Sequence, residues 1–142
     1  MTDTQLYETM IEFNSFYVHY LSKMDKAFTG GEFGTAAMRC MAFIKSNGRC
    51  TQKELSERFG IDMAYLSRTI GKLTEDGYLQ KEANDADKRS HYYELTDTSR
   101  KVVLEQEKRM YEHILSTVAH LSNEEKETLG ECFSRIKKLL DR

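Results

Sequence analysis

TQKELSERFGIDMAYLSRTIGKLTEDG, residues 51–77, is the stretch whose reading decides the fold. It divides into two short helices around a tight turn. Thr51, with Glu54 three residues on, forms a capping box that satisfies two free amide hydrogens at a helix start. Leu55 and Phe59 give that helix an inward face, and Gly60 supplies a residue able to turn with positive φ and end it. Ile61 plugs the angle between the helices. Asp62 caps the second, where Leu66, Ile70 and Leu73 recur at the spacing of a buried face. Its other face carries Ala64, Tyr65, Ser67, Arg68, Thr69 and Lys72, with no acid from Met63 to Thr74. Such side chains reach base edges and phosphates when a helix lies in a major groove. Helix pairs of this kind also occur in proteins with no nucleic-acid partner, so the flanking segments must decide.

Downstream, Tyr78-Leu79-Gln80-Lys81-Glu82 and His91-Tyr92-Tyr93-Glu94-Leu95 flank the turn-prone Asn84-Asp85-Ala86-Asp87-Lys88-Arg89-Ser90. The pattern predicts a two-stranded hairpin, a wing placed directly after the second helix. Its tip offers Lys88 and Arg89 to a minor groove, and Asp87 is spaced to hold the Arg89 guanidinium by a charge-assisted pair. A solvated charged loop is the competing reading of the tip.

Upstream, a helix is predicted over residues 35–46, with Met38, Met41, Ala42 and Ile44 inward and Gly48 as its stop. Arg49-Cys50 is expected as a short strand pairing with the hairpin. The first helix is expected over residues 4–28, striped by Leu6, Met10, Phe13, Tyr17, Leu21, Met24 and Phe28, with Thr29-Gly30-Gly31 breaking it. Tyr7, Phe16, Val18 and Tyr20 add apolar surface off that stripe. After the wing, Thr96 or Asp97 caps a helix predicted to reach about His120, roughly 36 Å long. Val103, Met110, Ile114, Val118 and Leu121 stripe it. Ser122 with Glu125 opens a last helix bearing Leu129, Phe133, Ile136, Leu139 and Leu140. These broad apolar faces predict a helical dimer interface, although an intramolecular bundle has the same periodicity.

Gly60-Ile61, Leu66-Ser67-Arg68, Leu73-x-x-x-Gly77-Tyr78-Leu79, Asp87-x-Arg89 and Leu95-Thr96 together resemble the winged-helix core of the MarR family of transcriptional regulators. The likeness runs over essentially the whole chain. Tyr65-Leu66-Ser67-Arg68 and Phe13-Asn14-x-Phe16-Tyr17 look closest to members with a fused acetyltransferase domain, for which a chain this short has no room. Gly71 inside the second helix and Ser99, where the family usually has glycine, depart from the pattern.

The resemblance implies a mainly α fold with a small β-hairpin wing, a winged helix-turn-helix core flanked by N- and C-terminal dimerisation helices. The chain is then one domain, with residues 35–96 as the DNA-binding lobe and 1–34 and 97–142 as dimerisation helices. Its implied role is a homodimeric, ligand-responsive repressor on double-stranded DNA. Tyr65, Ser67, Arg68 and Thr69 are assigned to the major groove, Lys72 and Lys88 to phosphate, Arg89 to the minor groove and Asp87 to orienting Arg89. A small aromatic or anionic effector would be lined by Phe13, Tyr17, Tyr20, Arg39 and Tyr111, each of which core packing also explains. The rival reading is a winged-helix protein-interaction module without sequence-specific DNA binding.

Composition bounds these readings. The 142 residues suffice for a real core, and 21 basic against 23 acidic residues argue against coating nucleic acid by charge alone. Residues 49–101 hold ten Lys and Arg and ten Asp and Glu, so any basic patch depends on placement. Cys40, Cys50 and Cys132 lack a Cys-x-x-Cys spacing, which favours a reducing cytoplasm; Cys40 is expected in packing and Cys50 as the more accessible thiol. No secretory pattern and no membrane-length apolar run occurs, so the expectation is a soluble intracellular protein without a membrane partner. No phosphate loop, nucleophile elbow or metalloprotease motif is present; no enzyme activity, cofactor or metal is expected. His113 and His120, seven apart, make a metal site geometrically conceivable, but isolated histidines on amphipathic helices are usually surface groups.

Overall fold

The computed structural model describes the backbone of residues 1–29 and 33–141, and the side chains of residues 1–24 and 33–141. The expected break at Thr29-Gly30-Gly31 and the Phe28 side chain therefore lie outside the described residues. The described chain is mainly helical with one small antiparallel sheet. In order it forms α1 (Asp3–Thr29), α2 (Thr35–Asn47), β1 (Cys50–Thr51), α3 (Gln52–Phe59), α4 (Met63–Glu75), β2 (Leu79–Ala83), β3 (His91–Leu95), α5 (Asp97–Thr117) and α6 (Asn123–Leu140). Two compact units emerge, Met1–Met110 and Tyr111–Arg142.

In the first unit the local signals act as their chemistry requires. The Thr51 hydroxyl accepts from the Glu54 amide at 3.2 Å while the Glu54 carboxylate accepts from the Thr51 amide at 2.7 Å, closing the capping box of α3. Gly60 ends α3 at φ 61°, a left-handed conformation that side chains with a Cβ resist. Asp62 Oδ1 then accepts from the Tyr65 amide at 3.0 Å and opens α4. The core lies between α2 and the helix pair. Met38, Cys40, Met41 and Ile44 of α2, Leu55 of α3, and Leu66, Ile70 and Leu73 of α4 are buried together. Of the inward positions expected on α2, Ala42 is only partly buried and Ala37 joins the core, while Cys40 is packed there as expected.

The sheet runs β1-β3-β2, with Cys50 and Lys81 both opposite Tyr93, and Leu79 opposite Leu95. The short strand is thus Cys50–Thr51, one residue later than expected. Burial follows the pleat: Leu79, Tyr93 and Leu95 turn inward against the helices, while Glu82 and Tyr92 occupy the other face, where the Arg49 guanidinium sits 4.1 Å from the Tyr92 ring centre. Thr96 joins three elements. Its hydroxyl donates to the Gly77 carbonyl at 2.8 Å and accepts from the Ser99 amide at 3.3 Å, capping α5. Ser99 is fully buried and its hydroxyl donates to the Thr96 carbonyl at 3.0 Å, so this departure from glycine is satisfied internally. A Lys45–Glu107 ion pair adds a link between α2 and α5.

α1 is a long helix whose N-terminal half buries nothing: Leu6, Met10 and Phe13 of its stripe are exposed, whereas Tyr17, Leu21 and Met24 are half-buried. In the second unit α5 ends at Thr117, three residues short of the expected His120, and Ser122 with Glu125 caps α6 through reciprocal bonds of 3.2 and 2.7 Å. α6 has no buried residue, and Phe133, Ile136, Leu139 and Leu140 all face solvent. No described helix is long and apolar enough to cross a membrane.

These contacts set a graded stability pattern. Thr51→Ala removes half of the α3 capping box and is expected to lower the unfolding free energy by about 1 kcal/mol. Leu66→Ala, which opens a cavity where α4 meets the core, is expected to cost about 2–5 kcal/mol. Urea denaturation of both variants beside the parent protein measures the difference.

Candidate nucleic-acid interface

Burial of Leu66, Ile70 and Leu73 fixes the rotation of α4, and this sets Ala64, Arg68, Gly71, Lys72 and Glu75 on the exposed side. The Arg68 guanidinium carbon lies 6.0 Å from the centre of the Tyr65 ring, one turn earlier, a cation–π spacing that steadies it at the surface. Thr69 spends its hydroxyl on the Tyr65 carbonyl at 3.1 Å.

The predicted contact residues of α4 do not share one surface. Tyr65, Thr69 and Lys72 border a cleft of about 380 Å³ that Phe33, Ala37 and Tyr78 close from the side of α2, with Phe33 and Tyr78 packed edge to face at 4.9 Å. Ser67 belongs to the opposite flank, where a second cleft of about 340 Å³ separates α4 from Lys81 and Tyr93 of the sheet. There the Ser67 hydroxyl donates to Gln52 Oε1 and Gln52 Nε2 donates to the Tyr93 hydroxyl, each at 3.3 Å. Arg68 stands between the two flanks.

The wing tip is built by its own polar groups. Asn84 Oδ1 accepts from the Ala86 and Asp87 amides at 3.1 and 3.4 Å. Asp87 Oδ1 accepts from the Arg89 backbone amide at 3.0 Å, and the Asp87 carbonyl accepts from Ser90. The carboxylate therefore positions residue 89 through the main chain, not through the guanidinium pair expected from the spacing. Lys88 and Arg89 are exposed.

Phe13, Tyr17 and Tyr20 are brought together on α1 as a stacked series, with ring centres 5.3 and 6.0 Å apart. Arg39 is exposed on α2, and Tyr111, exposed, belongs to the second unit. The residue pattern of α4 and the wing tip gives no sign of Gln52, Lys81 and Tyr93. The alternation of the hairpin was the available signal, since it places Lys81 and Tyr93 on the same face as buried Leu79.

No group of three His, Cys, Asp or Glu side chains among the described residues is arranged to hold a metal ion. Cys50, expected to be the accessible thiol, is buried, because pairing with Tyr93 turns it into the core; Cys132 is the exposed one. Burial and then the neighbouring Cys50 push the Cys40 thiol from 9.0 to about 11. Burial and then Glu54 do the same to Cys50.

Residues 33–90, which carry α2 to the wing tip, match the sequence profile of the MarR family. The chain is also 33% identical over 63 residues to the HTH-type transcriptional regulator BilQ of Clostridioides difficile. Over α2 to the wing tip the chain is therefore similar to the MarR family. That alignment covers 44% of this chain and 43% of BilQ, so the chain spans less than half of this relative's length. In fold it is similar to a MarR family protein from Bacillus stearothermophilus, with a TM-score of 0.86 at 10% identity over 100% of this chain and 99% of the other. It is similar as well to a cysteine-to-serine variant of E. coli MarR complexed with operator DNA, with a TM-score of 0.75 at 18% identity over 92% and 97% of the two chains. MarR-family proteins are in general regulators of transcription and not enzymes.

The thiol environments carry a prediction. A disulfide reagent at pH 8 is expected to titrate one thiol, Cys132, in the native protein and three after denaturation. Because the native pKa of Cys40 and Cys50 stands above the unfolded value of 9.0, the unfolded chain releases these protons first. Stability is therefore unaffected by them below pH 9 and falls as the pH rises from 9 through about 11, which urea midpoints across that range measure.

Proposed function

We propose that this chain is a MarR-family, sequence-specific DNA-binding transcriptional regulator that works as a homodimer and as a ligand-responsive repressor. The observation that carries the reading is Arg68, held against Tyr65 on the exposed face of a helix whose rotation is fixed by its core. In a major groove Arg68 reads a base edge with Tyr65, Ser67 and Thr69 around it, and Lys72 takes a phosphate. Arg89, positioned by Asp87, enters the adjacent minor groove, and Lys88 meets a phosphate beside it. The operator complex of the structurally similar E. coli MarR supports this use of the fold.

Dimerisation is supported by apolar surface that neither compact unit covers for itself. Phe13 and Phe16 of α1, Leu115 of α5 and Leu139 of α6 are all exposed, more than an isolated small protein usually leaves to water. In this reading residues 1–34 and 97–142 form the dimer and residues 35–96 the DNA-binding lobe. A two-fold dimer then presents two α4 helices to successive major grooves about one helical turn apart. A small aromatic or anionic effector bound near Phe13, Tyr17, Tyr20, Arg39 and Tyr111 would favour a different α4 separation, by no more than its differential affinity for the two states.

Fluorescence anisotropy with the duplex flanking the protein's own gene, against unrelated duplex across a salt series, tests the proposal. Arg68→Ala is expected to weaken specific binding about 10- to 100-fold. Arg89→Ala is expected to weaken it while folding and sedimentation at the dimer mass are kept. Equal affinity of the parent protein for both duplexes would remove sequence-specific recognition, and a single-chain mass at micromolar concentration would remove the dimer.

A further inference from the structure

Gly71 sits mid-helix on the exposed side of α4, and nothing inside the fold requires a glycine there. It is not among the glycines with positive φ, which are Gly48, Gly60 and Gly77. A Cβ built on it meets nothing within 4 Å. Glycine in a helix interior is destabilising relative to alanine, so α4 carries a penalty with no internal return.

The open space at Gly71 belongs to the cleft between α4 and the base of the wing. Ser67 and Thr74 of α4, Lys81 and Tyr93 of the sheet, and Gln52 of α3 line it. Tyr93 accepts from Gln52 Nε2, which leaves its own O–H proton available to donate. Lys81 is directly cross-strand from Tyr93 on the same sheet face, and among the described residues no acid pairs with it. Glu75, an exposed residue, lines the same cleft.

The inference rests on the DNA-binding reading. A protein with α4 in a major groove and its wing in the neighbouring minor groove straddles the sugar-phosphate strand that divides the two. The surface between α4 and the wing is this cleft. We propose that the cleft seats a backbone phosphate of that strand, with Lys81 and the Tyr93 hydroxyl as donors, and that residue 71 is glycine because the strand approaches the α4 backbone too closely for a Cβ. Ser67, in the cleft wall beside Arg68, then lies next to that strand.

The test compares Gly71→Ala, Lys81→Gln and the parent protein by anisotropy on the duplex flanking the gene and on unrelated duplex at low salt, where phosphate contacts dominate. Thermal melting runs alongside. Gly71→Ala is expected to melt a few degrees higher yet bind both duplexes at least about tenfold more weakly. Lys81→Gln is expected to fold normally and to lower the salt slope by about 1. Parent-like DNA affinity in Gly71→Ala, while Arg68→Ala still weakens binding, overturns the phosphate seat and leaves the DNA reading standing. A lower melting temperature in Gly71→Ala overturns the claim that the glycine serves no internal purpose. An unchanged salt slope in Lys81→Gln overturns its role as donor, and a parent protein that binds neither duplex overturns both readings together.

Discussion

Burial of Leu66, Ile70 and Leu73 against α2 and α3 sets the azimuth of α4, and nearly everything proposed for this protein depends on that angle. A helix of 13 residues has few ways to resist rotation about its axis, and here three core side chains remove them. Once they are in place, Arg68 points outward, Tyr65 and Ser67 fall on opposite flanks, and Gly71 opens toward the wing. The Asp62 cap and the left-handed turn at Gly60 fix where the helix begins, so rotation and translation are both set from within a short segment. Neither device uses the Arg68 or Lys72 side chain, so that face stays open.

The wing is tied to this frame at its base and built independently at its tip. Leu79 opposite Leu95 fixes the register, since a slip of one residue would turn both out of the core. Thr96 then bonds to Gly77, just beyond α4, and caps α5 with the same hydroxyl, so the ends of the helix and of the hairpin are held together. At the tip no apolar contact is needed. Asn84 and Asp87 satisfy the amides of the loop, and the backbone of Arg89 is held whether or not its side chain is engaged.

Signals that act within four residues were legible from sequence: both capping boxes, the Gly60 and Gly48 stops, and the buried period of α4. What was not legible arises from pairing across distance. Cys50 is expected from the sequence to be the more accessible thiol, yet register opposite Tyr93 turns it inward. Asp87 was expected on the Arg89 guanidinium because side-chain spacing permits it; the turn instead brings the Arg89 amide to the carboxylate. The outward residues of α4 looked like one list along a helix. Only the positions of α2 and the sheet divide them between two clefts, and only the second cleft gives Gly71 a physical context.

Charge placement reconciles a near-neutral chain with the DNA partner proposed for it. Residues 49–101 contain as many acids as bases, but many of the acids are engaged in building the frame. Glu54 closes the α3 box, Asp62 caps α4 and Asp87 holds the wing turn. Glu57 pairs with Lys53 and Glu82 with Arg49. Among the described residues none of Arg68, Lys72, Lys88 and Arg89 enters an ion pair, nor does Lys81 between them, so the bases left over include those at the helix face and wing tip. A surface assembled this way has few cations to neutralise phosphates, which keeps the sequence-independent part of binding small. In the proposed DNA complex, discrimination then comes from geometry, from the fixed azimuth of Arg68 and the room left by Gly71, more than from attraction at a distance.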